Sequence, residues 1–215
     1  MTKPLLIFDF DGVLVDTGDF FARETMQKLS ELGYDFVKNR EDLLDLFKEN
    51  IAVALIENGV TPAHMCAIWE HIQQRAKSEK IELCAGVGEM LCALASKCDM
   101  AVVSANSLNT IRSVLTRLGV IDRFKSISGG EEDFEKVERI KEGMKSADGK
   151  PASTFYIGDT VGDIDEAHRA GAHAIAVGWG WHPAEALKDS SPDRFVKDPQ
   201  ELVDYMDEFT RGTVS

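Results

Sequence analysis

The stretch LLIFDFDGVLV, residues 5–15, decides the fold. Its four apolar residues Leu5 to Phe8 predict a short strand that is buried on both faces. If the strand continues through Asp11, the carboxylates of Asp9 and Asp11 lie on one face and Phe10 on the other, because a strand has a period of two. Two adjacent carboxylates repel each other, so the pair indicates a bound cation or a rich hydrogen-bond shell. Taken alone, these residues also fit a strand that ends in a polar turn.

Short apolar runs alternate with helical patterns along the rest of the chain. Further strands are predicted at residues 100–103, 125–128, 154–157, 173–177 and 194–196. This alternation predicts an α/β fold with a doubly wound, Rossmann-like and mostly parallel sheet. Between residues 17 and 82 only helical patterns occur. We therefore expect a core domain of residues 1–16 and 83–215, with residues 17–82 inserted as an all-helical cap domain.

Composition excludes some classes of function. The chain has 215 residues and a formal net charge of −13, which argues against a protein that binds nucleic acid by neutralising phosphates. No apolar run approaches the roughly 20 residues needed to span a bilayer, and the N-terminal run is too short for a signal peptide. Four cysteines without Cys-x-x-Cys spacing are typical of reduced thiols. We expect a cytoplasmic protein without a membrane partner, either a monomer or a weak homodimer.

Candidate ligand residues follow two of the later strands. Asp159 ends the strand at 154–157, and Asp163 falls at the start of the next helix. Carboxylates at such positions suit a hard cation such as Mg²⁺, although Asp163 also fits an ordinary helix cap. Ser104 ends the strand at 100–103, where its hydroxyl and the following amides of Ala105 and Asn106 can bind a phosphate or simply cap a helix. Ligands of doubly wound sheets bind at these strand ends.

A lysine could complete such a site by neutralising a phosphoryl group. The candidates are Lys136, on the approach to the strand at 154–157, and Lys141 or Lys145 on the following helix, although a lysine here is more often a solvated surface residue. In the helical insertion, four cations could contact an anionic substrate, and each also fits a solvated charge. They are Lys38, Arg40, Lys48 and Arg75.

These motifs resemble those of the haloacid dehalogenase superfamily. Asp9 to Val13 is similar to the family's first motif, Asp-x-Asp-Gly-Thr/Val, and Ser104 after its apolar strand is similar to the second. Residues 158–163 match the fourth motif, Gly-Asp-x-x-x-Asp. Lys136 has about the spacing of the third motif, a single lysine, but lacks the proline that often follows it, and Lys141 is the second candidate for that motif. The helical insertion resembles the cap of the subfamily that contains phosphoglycolate phosphatase and β-phosphoglucomutase.

The resemblance implies a phosphatase mechanism. Asp9 would form an aspartyl phosphate, and Asp11 would protonate the leaving oxygen and later activate water. Mg²⁺ would be bound by Asp9, the main-chain carbonyl of Asp11, Asp159 and, directly or through a neighbour, Asp163. The phosphate would be bound by Ser104, Ala105, Asn106 and Lys136.

The expected function is Mg²⁺-dependent hydrolysis of a small phosphorylated metabolite, in the manner of phosphoglycolate phosphatase. A phosphomutase of the β-phosphoglucomutase kind would use the same aspartate and is the alternative. A non-catalytic binding protein is disfavoured because the carboxylate set is complete, and a dehalogenase does not need the acid that Asp11 supplies. The loop at residues 178–183, with sequence GWGWHP, resembles one in phosphoglycolate-phosphatase-like members, but also fits plain aromatic packing.

Overall fold

A computed structural model describes residues 3–46, 51–76, 79–130, 135–146 and 153–212. The strands within these residues are β1 Leu5–Phe8, β2 Asp99–Val103, β3 Ser126–Ser128, β4 Thr154–Gly158, β5 His173–Val177 and β6 Arg194–Val196. These six strands of the described chain form one parallel sheet in the order β3-β2-β1-β4-β5-β6. The doubly wound, Rossmann-like α/β fold predicted from the sequence is confirmed.

Ten α-helices accompany the sheet in the described ranges, together with a short 3-10 helix at Ile121–Arg123. They are α1 Gly18–Glu31, α2 Arg40–Asp45, α3 Ile51–Glu57, α4 Pro62–Ala76, α5 Val87–Leu94, α6 Leu108–Arg117, α7 Lys136–Ser146, α8 Val161–Ala170, α9 Ala184–Asp189 and α10 Pro199–Arg211. None of these described helices is long and apolar enough to cross a membrane.

Strand β1 lies at the centre of the sheet, and its side chains alternate between two cores. Leu6 and Phe8 pack with apolar residues of α5, α6 and α10 on one face. Leu5 and Ile7 pack with residues of α7, α8 and α9 on the other. All four are at most 1% exposed, as expected for a parallel strand that is covered on both faces. Because β1 pairs with both β2 and β4, the segments that follow these three strands meet at one edge of the sheet.

The helices α1, α3 and α4 pack around an apolar cluster of their own. Its buried members are Phe20, Leu29, Leu55, Val60, Met65, Ile68 and Ile72. The two connections from this helical segment to the sheet lie side by side, because Asp16 N donates to Glu82 O and Cys84 N donates to Leu14 O, each at 3.0 Å. The chain therefore enters and leaves the helical segment through two adjacent connections that are hydrogen-bonded to each other.

Two local features differ from the sequence prediction. Strand β1 ends at Phe8, so Asp9 and Asp11 belong to the turn that follows the strand and do not extend it. Gly12 makes this turn possible, with a φ of 76° that a residue with a side chain rarely adopts. The short helix α9 was not predicted, because its six residues are too few to show helical periodicity.

Buried Glu24 links α1 to α4. Its side chain is 1% exposed and accepts hydrogen bonds from Arg23 Nε at 2.9 Å, His71 Nε2 at 2.9 Å and Arg75 Nε at 3.2 Å. Burial acts to raise the pKa of Glu24, but its hydrogen-bond and charged partners outweigh burial and lower that pKa below its usual value. Since His71 and Arg75 belong to α4, this carboxylate fixes the pairing of the two helices.

We expect Glu24→Gln to lower the free energy of unfolding by about 2 kcal/mol at pH 7, because the neutral amide leaves buried donors poorly satisfied. Urea denaturation measures the change. Because the folded pKa of Glu24 is lowered, its stabilisation is present above the unfolded pKa and is lost as pH falls through the folded pKa. The difference in the free energy of unfolding between Glu24→Gln and the original chain should therefore shrink in acid.

Glu31→Gln is the matched control on the same helix, since Glu31 is exposed and pairs only with surface partners. Its effect should stay below about 0.5 kcal/mol. Equal destabilisation by the two substitutions would contradict the role assigned to Glu24.

Candidate active site

Three buried carboxylates converge at the carboxyl edge of the sheet. Asp9 follows β1, Asp159 follows β4, and Asp163 lies in the first turn of α8. One oxygen from each lies within 4.8 Å of the others. Asp9 Oδ1 and Asp159 Oδ1 are buried, and neither accepts a hydrogen bond within the described part of the chain. Such oxygens are costly to bury unless a cation binds them.

Asp163 is already held by hydrogen bonds. Its Oδ2 accepts from Asp159 N at 3.2 Å, Thr160 N at 3.0 Å and Thr160 Oγ1 at 2.7 Å. Thr160 Oγ1 in turn accepts from Asp163 N, which completes a capping box. The helix-cap interpretation of Asp163 is therefore correct, and the same side chain also lies beside the other two carboxylates.

Lys136, the first residue of α7, is the buried cation of this cluster. Its Nζ lies 2.5 Å from Asp163 Oδ1, 3.3 Å from Asp9 Oδ1 and 3.6 Å from Glu166 Oε2. Burial opposes its charge, but these carboxylates outweigh burial and raise its pKa well above the usual value. Lys141, the second candidate, forms an exposed pair with Glu138 on the same helix. Of the two candidate lysines, Lys136 is the one that lies among the carboxylates.

The carboxyl groups differ in acidity because they differ in their neighbours. Burial, with help from nearby Asp163 and Asp11, raises the pKa of Asp9 to about 7 despite the opposing charge of Lys136. Burial and the neighbouring carboxylates also raise the pKa of Asp159 well above its usual value. Burial would raise the pKa of Asp163 too, but Lys136 and the capping hydrogen bonds lower it. Without a second cation, the ionised forms of Asp9 and Asp159 are therefore disfavoured.

Asp11 lines the same cavity as this cluster and is oriented by two donors. Thr17 Oγ1 donates to its Oδ1 at 2.8 Å, and Asn106 Nδ2 donates to its Oδ2 at 2.9 Å. Burial raises its pKa, although both hydrogen bonds act in the opposite direction. Thr17 precedes α1, so this contact also joins the helical segment to the sheet edge.

The predicted phosphate-binding segment lies next to Asp11. Ser104 is 2% exposed, its Oγ accepts from Asn106 N at 3.2 Å, and its carbonyl accepts from Arg139 Nη1 at 2.5 Å. Ala105 is packed so closely by Gly130 that a Cβ on the glycine would lie 2.2 Å from the Ala105 carbonyl oxygen. These contacts fix residues 104–106 just before α6.

The loop at residues 178–183 is part of the site, which the plain-packing interpretation did not anticipate. Trp181 N donates to Asp159 Oδ2 at 2.7 Å, and a Cβ on Gly180 would lie 2.2 Å from Asp159 Cβ. His182 Nε2 donates to the Leu44 carbonyl of α2 at 3.0 Å, while its Nδ1 accepts from Val161 N. The signal in the sequence was a glycine between two tryptophans, which permits a close backbone approach.

All eight predicted site residues border or support one cavity of about 1030 Å³. Its lining includes Asp9, Asp11, Ser104, Ala105, Asn106, Lys136, Asp159 and Asp163. An all-oxygen donor set with two buried oxygens lacking hydrogen bonds fits a hard divalent cation such as Mg²⁺. The cavity is large enough to hold a small organic ligand as well.

Comparison with known proteins identifies relatives across most of the chain. Residues 6–177 match the family model described as haloacid dehalogenase-like hydrolase. The chain is 26% identical over 210 residues to phosphoglycolate phosphatase of Synechococcus elongatus, covering 96% of this chain and 98% of that protein. It is 25% identical to pyrophosphatase PpaX of Listeria monocytogenes, covering 92% and 94%. The crystal structure of a predicted phosphatase from Clostridium acetobutylicum shares the fold, with a TM-score of 0.82 at 19% identity, covering 97% of this chain and 100% of that one.

We expect Lys136→Met to lower the free energy of unfolding by about 3 kcal/mol in metal-free buffer at pH 7, because it leaves buried carboxylates without their cation. Urea denaturation measures the loss. It should shrink toward pH 5, where the carboxyl groups that lost the lysine can bind protons instead.

Lys141→Met is the control for the same change on the same helix. Its pair with Glu138 is exposed, so its effect should be within about 0.5 kcal/mol of zero. A larger loss from Lys141→Met than from Lys136→Met would show that the buried cluster does not depend on Lys136.

Proposed function

The chain belongs to the haloacid dehalogenase-like hydrolase family, and on that basis we propose that it is a Mg²⁺-dependent phosphatase of small phosphomonoesters. The observation that carries the proposal is the convergence of Asp9, Asp11, Asp159 and Lys136 around one cavity, next to Ser104. The names of the relatives, a phosphoglycolate phosphatase and a pyrophosphatase, support the same class of reaction. They also favour water over a sugar hydroxyl as the final acceptor, and so favour hydrolysis over the phosphomutase alternative.

In the proposed reaction, a carboxylate oxygen of Asp9 attacks phosphorus. The bond from phosphorus to the alcohol oxygen breaks, and Asp9 becomes an aspartyl phosphate. Lys136 Nζ, 3.3 Å from Asp9 Oδ1, favours the ionised form of this carboxyl group, which the attack requires. Ser104 and the amides of Ala105 and Asn106 would bind the phosphoryl oxygens.

Asp11 is suited to move the protons. Its raised pKa favours the protonated form that can donate to the leaving alcohol oxygen. The resulting carboxylate can then take a proton from water as that water attacks phosphorus and the bond to Asp9 breaks. Hydrogen bonds from Thr17 and Asn106 keep the carboxyl group in one orientation through both steps.

The proposed metal ligands are the carboxylates of Asp9 and Asp159 and the main-chain carbonyl of Asp11. Asp163 would either bind the ion directly or hold Lys136 and the loop before α8 in place. Its hydrogen bonds favour the second role. A bound Mg²⁺ would supply positive charge that stabilises the phosphoryl group during transfer. The helical segment, residues 17–82, would serve as a cap domain over the core of residues 1–16 and 83–215 and exclude water from the cavity.

Burst kinetics with p-nitrophenyl phosphate can separate the roles of the first two aspartates. This ester needs no proton on its leaving group, so Asp11→Asn should release about one nitrophenolate per enzyme and then slow at least about 100-fold, because water is no longer activated. Asp9→Asn should give neither burst nor turnover. Stopped-flow absorbance at 400 nm measures both the burst and the later turnover. The amplitude of the burst should be on the order of the enzyme concentration.

A burst from Asp9→Asn would exclude Asp9 as the nucleophile. Steady turnover by Asp11→Asn at the original rate would exclude Asp11 as the base.

Thermal unfolding tests the metal ligands without measuring activity. Mg²⁺ should raise the unfolding midpoint, since an ion at 100 times its Kd stabilises the folded state by about 2.7 kcal/mol. Asp159→Asn should lose most of this response and, in EDTA, should be more stable than the original chain, because it removes a buried negative charge.

Asp165→Asn is the control, since Asp165 borders the cavity but is exposed and pairs with Arg169. It should keep the Mg²⁺ response. A full response from Asp159→Asn would remove Asp159 from the proposed ligand set.

A further inference from the structure

The part of the cavity wall that comes from the helical segment is mostly apolar, with three aromatic side chains. The helical segment contributes this wall through residues of α1, α3 and α4. Its apolar members are Phe20, Phe21, Ile51, Ala52, Val53, Trp69, Ile72 and Ala76. Thr17 and Gln73 are the polar residues that this segment adds among the described lining.

Three aromatic rings of this cavity form a row that begins at the carboxylate cluster. Trp181, whose main-chain nitrogen donates to Asp159, lies 5.2 Å from Phe21 between ring centroids. Phe21 in turn lies 6.0 Å from Trp69 of α4. The planes of both pairs are tilted by less than 40°. Because Asp9 and all three aromatic residues line the same cavity, a group attached to a phosphoryl at Asp9 shares that cavity with the aromatic row.

Three cations of the helical segment, all within its described residues, pair with acidic side chains. Arg75 pairs with Glu24, Arg40 with Asp19 and Lys38 with Asp35. None of the described cations of residues 17–82 lines the cavity. Lys48, the remaining cation that the sequence offered for an anionic substrate, lies outside the described residues.

The charged groups of the cavity lie on the sheet side. There, Lys136 forms ion pairs with Asp9 and Asp163, and Arg169 forms ion pairs with Asp165 and Glu135. A second anionic group that points toward the helical segment would thus lose water against apolar side chains and gain no cation among the lining residues described in that segment. Such desolvation is costly for a carboxylate, whereas it is favourable for an apolar group.

We propose that this wall selects phosphomonoesters whose alcohol portion is uncharged and apolar, with an aromatic ring as the best fit. A carboxylate-bearing ester such as 2-phosphoglycolate would be a poor substrate. The inference rests on the proposed function in one respect, that the phosphoryl group binds at Asp9. The cavity of about 1030 Å³ has room for a ring in addition to that group.

Binding of three phosphonates by titration calorimetry with Mg²⁺ tests the selection without turnover. 2-Phenylethylphosphonate, propylphosphonate and 3-phosphonopropionate share the same two-carbon tether and differ in an aryl, methyl or carboxylate end. The aryl compound should bind roughly 10- to 100-fold more tightly than the propyl compound, because its ring is removed from water. The carboxylate compound should bind most weakly.

Substitutions of two residues of the wall test whether the aromatic row causes the selectivity. Trp69→Leu and Phe21→Leu should each reduce the affinity ratio of the aryl to the propyl compound by roughly fivefold or more. Phe36→Leu is the control, because Phe36 packs on Tyr34 within the helical segment and does not line the cavity. It should keep the ratio of the original chain. Because both compounds bind the same folded molecules of a variant, the ratio of their affinities does not depend on the fraction of that variant that is folded.

Hydrolysis of benzyl phosphate, ethyl phosphate and 2-phosphoglycolate distinguishes the two proposals. All three release primary alcohols, so differences in kcat/KM report recognition more than leaving-group reactivity. Hydrolysis without preference for the benzyl ester, or tightest binding of 3-phosphonopropionate, would overturn the selection alone. The expected order of phosphonate binding with no hydrolysis of any ester would overturn the proposed phosphatase function alone.

Discussion

The electrostatic balance of three buried carboxylates against one buried lysine is the constraint on which this structure depends. Asp9, Asp159 and Asp163 are brought together because β1 lies between β2 and β4 in a parallel sheet, so the segments after these strands share one edge. Lys136 neutralises part of that charge, but burial and the neighbouring carboxylates still raise the pKa values of Asp9 and Asp159. A site that is unfavourable on its own in this way is suited to bind a divalent cation and then a phosphoryl group.

The two parts of the molecule contribute different chemistry to the cavity. The sheet edge supplies charge and hydrogen bonds, while the helical segment supplies aromatic and aliphatic surface. The loop at residues 178–183 connects the two, since Trp181 contacts both Asp159 and Phe21, and His182 donates to a carbonyl of α2. A displacement of the helical segment would therefore change the contacts that this loop makes with Asp159.

Sequence reasoning predicted the fold and the polar part of the site because both follow from local patterns. Asp9 and Asp159 come directly after apolar strands, and strand ends meet in a doubly wound sheet whatever the intervening residues do. The role of Trp181 depended on packing between residues distant in the chain, which no periodicity encodes. The choice between Lys136 and Lys141 likewise depended on which face of α7 turns toward the carboxylates. The neutralisation of Arg40 and Arg75 by acidic partners was equally hidden from the sequence.

Anomalous diffraction from crystals soaked in Mn²⁺, a substitute for Mg²⁺ with a measurable signal, tests the central claim most directly. One strong peak should lie between the carboxylates of Asp9 and Asp159, at the distance of direct oxygen ligands. A peak elsewhere on the protein, or none at these carboxylates at saturating Mn²⁺, would contradict the account of a shared metal site at the sheet edge.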